Sequence, residues 1–130
     1  MSKERNGGKW TEARYRSFVK SALRSASKRW PPKFECLSGA YSGQRINPSS
    51  GRMAKHYRCA RCGGEFVGAK VQADHIEPVV PLTGFTTWDD IIERMFCEAD
   101  NFQCLCIGCH KIKTAEEKRQ AKEYKDASKL

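Results

Sequence analysis

No stretch of this chain approaches 18 consecutive apolar residues, and its start, MSKERNGG, lacks the apolar core of a signal peptide. Neither a membrane span nor a secretory leader is expected, and the chain reads as a cytosolic protein. Internal repeats are lacking, and histidine is scarce, at three residues. Acidic residues are scarce at one end. Residues 1–33 hold only Glu4 and Glu12 against ten Lys and Arg, net +8, while the remaining 97 residues come to +1. A basic arm beside a nearly neutral domain suits a polyanion, because Lys and Arg on phosphates release counterions and bind without reading sequence. Cysteine, by contrast, is plentiful. There are seven, an odd number that disfavours a complete disulfide framework and makes metal ligation the better reading in a reducing compartment.

The length, 130 residues, suits one compact domain with a terminal extension. Thr11 is a helix N-cap, and Tyr15, Phe18, Val19, Ala22, Leu23 and Ala26 follow at amphipathic-helix spacing, with a basic opposite face. Pro31–Pro32 opens a second short helix through about Ala40. Residues 42–52, SGQRINPSSGR, read as a linker. This divides the chain into a basic helical extension and linker, 1–52, and a compact domain, 53–130. In that domain KHYRCARCGGEF and AKVQADHI read as the two strands of a hairpin. TTWDDIIERMF reads as a helix capped by Thr87, and CIGCHKIKTAEEKRQAKEYKDA as a final helix, or two if Thr114 and Glu117 form a capping box. The fold class expected is α+β.

The strongest motif is the pair CARC, with Cys59 and Cys62, and CIGC, with Cys106 and Cys109. Each Cys-x-x-Cys turn presents two thiolates to one ion, and two turns complete the tetrahedral sulfur shell that zinc prefers. Gly63 and Gly64 fit a left-handed turn that brings backbone N–H groups towards the sulfurs. Cys104 is an alternative to Cys106 as a ligand; Cys36 and Cys97 read as small apolar residues. Forty-three residues separate Cys62 from Cys106, more than a plain zinc ribbon needs, and the interval contains DHIEP and ADNFQCLC. His56 reads as packing or surface.

CARC, ADHIEPV and NFQCLCIGCHKIKT, in this order, resemble the HNH family of endonucleases, over roughly residues 54–115 and most closely its small phage and bacterial members. The resemblance implies a zinc-stabilised ββα-metal domain and an active site of Asp74, His75, Asn101 and His110. Successive side chains of a strand point to opposite sides, so Asp74 and His75 suit different tasks in breaking a phosphodiester. Asp74, a hard oxygen ligand, and His110 would hold the catalytic ion, Mg2+ or Mn2+, and with an imidazole in the set also Co2+ or Ni2+. His75 would take the proton from water as general base, and Asn101 would orient it. Arg14, Lys20, Arg24, Lys111 and Lys113 are candidate nucleic-acid contacts.

The expected function is hydrolysis of DNA phosphodiester bonds, in the host cytoplasm if the chain is phage-encoded. A larger phage or DNA-processing complex is a further candidate partner. The competing class is a non-catalytic zinc module that binds nucleic acid, or a protein partner through the acidic segment 89–100. It would need the cysteines but not His75.

Overall fold

The computed structural model describes residues 3–129. Its contacts divide the chain between Trp30 and Pro31 into two units.

The first unit is built on helix α1, Glu12–Ser27. Thr11 caps it as expected, its hydroxyl oxygen accepting the Arg14 N–H at 3.1 Å. A turn before the helix folds back on it. Arg5 pairs with Glu12 at 3.0 Å and lies 3.7 Å over the Tyr15 ring, while Arg14 sits 4.5 Å over Trp10. Lys20 is half-buried and Arg24 exposed.

The second unit runs α2 (Pro31–Gly39), β1 (Tyr41–Ile46), β2 (Met53–Arg58), β3 (Glu65–Val67), β4 (Val71–His75), α3 (Trp88–Met95), β5 (Phe102–Cys106) and α4 (Ile107–Ala127). Counting α1, the described residues hold four α-helices and two small antiparallel sheets, β1-β2-β3 and β4-β5, an α+β fold. No described helix is long and apolar enough to cross a membrane.

Two expectations about the strands are corrected. Residues 42–52 are not a linker: 41–46 form β1, paired with β2 from Ile46↔Met53 to Tyr41↔Tyr57, and 47–52 are the turn between them. Ser42 and Gly43 of the linker-like stretch lie within β1, and Asn47, Pro48, Ser49, Ser50 and Gly51 belong to that turn. Its backbone closes on itself, with Asn47 N–H to Arg52 C=O at 2.7 Å and Gly51 N–H to Asn47 C=O at 2.8 Å. The expected hairpin of the CARC strand with AKVQADHI does not form either. β2 pairs with β1 and β3, and β4 pairs with β5, in the register Val71↔Cys106 to His75↔Phe102. Long-range pairing of this kind depends on which strand arrives alongside, which local patterning does not encode.

Helix α3 begins where the sequence places it, with the Thr87 hydroxyl accepting the Asp90 N–H at 3.1 Å. Helix α4 is one continuous helix and not two, and Cys106 is its cap. Helices α2 and α4 both pack against β4 and β5. The core is small. Ile91, Met95, Leu105 and Cys59 are the largest fully buried side chains, and Leu105 packs with Cys59, Cys106, Cys109 and Phe66.

Candidate metal centre and active site

The four cysteines of CARC and CIGC meet. Their sulfurs all lie within 4.8 Å of one another, and Cys62 Sγ to Cys106 Sγ is 4.0 Å. Tetrahedral ligands at about 2.3 Å from zinc stand about 3.8 Å apart, so the cluster can hold such an ion with little adjustment. Cys104 is buried outside this group, so it is Cys106 and not Cys104 that joins the cluster able to hold an ion.

Both knuckles are set by backbone geometry. In the first, Cys59 N–H bonds Gly64 C=O at 2.8 Å and Gly63 N–H bonds Cys59 C=O at 2.9 Å. Gly63 takes φ 74°, which a side chain would strain, and a Cβ on Gly64 would lie 2.9 Å from the Phe66 ring. In the second, Cys106 Sγ accepts the Cys109 N–H at 3.4 Å, so a ligand sulfur also caps α4. The Ala60 N–H to Cys104 C=O bond, 2.8 Å, ties the first knuckle to β5 and hence to the second.

Without a cation the sulfurs disagree about ionisation. Burial raises the Cys59 thiol, but N–H groups of Cys62, Cys106 and Arg61 outweigh it and bring the thiol down to about 6. Burial, with the neighbouring sulfurs of Cys106, Cys59 and Cys62, pushes Cys109 up to about 12. A divalent ion removes the conflict, because it neutralises thiolates that otherwise repel one another.

Cys109 is followed by His110, which belongs to a second cluster of polar side chains. β4 ends on Asp74 and His75, whose side chains leave opposite faces. Asp74 turns to α4, where its Oδ1 lies 3.1 Å from His110 Nδ1 and its Oδ2 lies 3.0 Å from Lys113 Nζ. Gln103, its partner across the sheet, reaches Oδ2 at 3.5 Å. His75 turns the other way. Its Nε2 is 2.9 Å from the Met95 carbonyl at the end of α3, and its ring stands 4.6 Å from Phe102, its own cross-strand partner. A carbonyl oxygen only accepts, so Nε2 donates this bond, and in the neutral ring the lone pair is then on Nδ1.

Asn101 lies just before β5, and its carbonyl accepts the Ile76 N–H at 2.9 Å, closing the far end of the β4-β5 pair. Its tie to the His75 strand is thus made through the backbone.

Lys113 has a different place from the one its charge suggests. It is a half-buried ion-pair residue, joined to Asp74, to Glu117 at 3.2 Å and to the His75 carbonyl at 2.9 Å. Lys111 remains exposed. The role of Lys113, like those of Met95 and Gln103, is not among the sequence-based expectations. The signal available is helical spacing, since positions 110, 113 and 117 share one face of α4. His56 is buried, with Nδ1 2.9 Å from the Ala54 carbonyl, a packing role.

The chain is 37% identical over 62 residues to a protein described as "Probable HNH endonuclease" from Lactococcus phage SK1. The match covers 47% of this chain and 57% of the phage protein, so the chain spans little more than half the length of that relative. No family model matches the chain, and no solved structure matches it.

Proposed function

We propose that this chain is a metal-dependent endonuclease of the HNH type that hydrolyses phosphodiester bonds in DNA, with β4, β5 and α4 as its ββα core. The observation that carries this reading is the convergence of Asp74 and His110. Thirty-six residues apart in sequence, they bring a carboxylate and an imidazole to 3.1 Å, with His75 next to Asp74 on the same strand end. The partial likeness to the phage protein supports the same reading.

The donor set fits a divalent ion. Two ligands at right angles and about 2.1 Å from one ion are about 3 Å apart, which the 3.1 Å between Asp74 Oδ1 and His110 Nδ1 matches. Oxygen plus imidazole suits Mg2+ or Mn2+ and equally Co2+ or Ni2+. Such an ion supplies positive charge to the leaving 3′-oxygen.

The chain's own residues do the rest. Lys113 ties down Oδ2 of Asp74 and leaves Oδ1 directed at His110. Cys109, as one of the four cysteines that would hold zinc, would fix the start of α4 and with it His110. His75 accepts the proton of the attacking water at Nδ1, its ring held by the Met95 carbonyl and Phe102. Asn101 keeps the strand end closed. Arg14, Lys20, Arg24 and Lys111 bind phosphates.

One observation favours a second reading. The Lys113 ammonium already neutralises Asp74, as it would in a zinc-held nucleic-acid-binding module that cuts nothing. Supercoiled plasmid incubated with zinc-loaded protein, alone and with Mg2+, Mn2+, Co2+ or Ni2+, separates the two. Nicked or linear product that depends on added metal is expected. Plasmid bound but uncut with all four metals would leave the binding module.

A further inference from the structure

Between Glu35 and Glu65 the sequence contains no acidic residue and five basic ones: Arg45, Arg52, Lys55, Arg58 and Arg61. Most of this segment is the β1-β2 hairpin. Arg45 and Arg58 share a single carboxylate, Glu65, at 2.9 and 3.2 Å, and Arg61 pairs with Glu116. Arg52 and Lys55 are exposed. The hairpin therefore carries an excess of positive charge towards its tip.

That tip also carries apolar surface. Ile46 and Met53 face each other across the last rung of the ladder, 63% and 61% exposed. Single exposed apolar side chains are ordinary, but two in register at the end of a hairpin, flanked by arginines, form a blunt apolar wedge. The turn beneath the wedge is densely hydrogen-bonded. Besides the three backbone bonds within it, Asn47 Oδ1 accepts the Ser49 N–H at 3.1 Å and Ser50 Oγ the Arg52 N–H at 3.2 Å.

Resting on the nuclease reading above, we propose that the β1-β2 hairpin is a second DNA contact, separate from the catalytic residues. Its Ile46–Met53 tip presses on base steps in the minor groove, and Arg52 and Lys55 lie on the adjacent phosphates. Apolar wedges flanked by cations bind DNA in this manner and bend it, since unstacking is offset by the surface that the bend brings into contact. Charge decides between occupants. A second copy of the chain would bring the same excess of positive charge to the contact. Pairing of a second copy along β1, one of the two edge strands of its sheet, is also discouraged, since the register of β1 is broken between Tyr41 and Gly43 and its Ser42 carbonyl is covered by the Arg45 guanidinium at 3.3 Å.

The test uses full-length, zinc-loaded protein without added catalytic metal. Binding to a fluorescent DNA duplex is followed by anisotropy over a range of salt, and bending by energy transfer between labels at the duplex ends. Arg52→Gln/Lys55→Gln should weaken binding by at least about tenfold and reduce the salt slope by about 2, one for each phosphate no longer neutralised. Ile46→Ser/Met53→Ser should keep the salt slope and abolish the bend. Wild-type affinity, slope and bend in both variants, while wild-type protein cuts plasmid, would overturn the hairpin proposal alone. If Ile46→Ser/Met53→Ser instead converts a dimer to a monomer in light scattering with DNA binding intact, the tip belongs to a second copy and the proposal is wrong. Wild-type protein that binds no duplex at all would remove both this proposal and the nuclease reading.

Discussion

Replacing Cys62 by alanine isolates the worth of the zinc site from the worth of packing. The other three ligands are buried, so substituting them also opens a cavity; Cys62 is exposed. Its removal deletes one sulfur from the set of four and almost nothing else. Structural zinc sites contribute about 10–16 kcal/mol of apparent binding energy, which rivals the whole stability of a small domain, about 5–15 kcal/mol. The dependence should be strong here, because the described core has few fully buried large side chains and one of these is the ligand Cys59. If one sulfur accounts for a quarter of the zinc contribution, about 2.5–4 kcal/mol, the melting temperature of a domain of about 100 residues falls by at least about 10 °C. Circular dichroism melts of wild type and Cys62→Ala, with zinc content by elemental analysis, measure it. Zinc titrated into stripped wild type should restore the melt. A variant that binds no zinc yet melts within a few degrees of wild type would refute the reasoning, and the core would have to be holding the fold unaided.

His75→Ala should lower the plasmid cleavage rate by about 10²–10⁴-fold, the usual worth of a general base, while zinc content and DNA affinity persist; a rate within a few-fold of wild type removes His75 from the base role. Zinc retention should depend on pH. The folded-state pKa of Cys59, about 6, lies below the ordinary 9.0, so its stabilising contribution is complete above pH 9 and is lost as the pH falls through about 6. Because protons compete with zinc for the thiolates, release of zinc to a chromogenic chelator should climb as the pH falls, and release that is flat from pH 8 to 5 contradicts the thiolate assignment. Deleting residues 1–30 should weaken DNA binding and flatten its salt dependence, since the slope follows the number of phosphates neutralised, with turnover on saturating DNA retained. An unchanged slope would show that α1 does not touch DNA.

The parts of this protein that its sequence determines unaided are those governed by neighbours along the chain. Thr11 and Thr87 cap their helices because a cap bond spans three residues, and CARC and CIGC are each able to chelate because each pair is built inside one turn. The closeness of the two pairs is legible from chemistry, since four thiols in two knuckles have one common use. What the tertiary structure alone decides are the partners separated by long stretches of chain. A strand shows its faces through alternation but not the strand beside it, so patterning puts β4 beside the wrong neighbour and makes β1 resemble a linker. The same limit hides the surroundings of the site. Lys113 counts in a sequence as one more positive charge, and becomes the clamp on Asp74 only when β5 and α4 fold back along β4. Met95 offers His75 a backbone carbonyl, a group that every residue carries, so nothing in its side chain announces the contact.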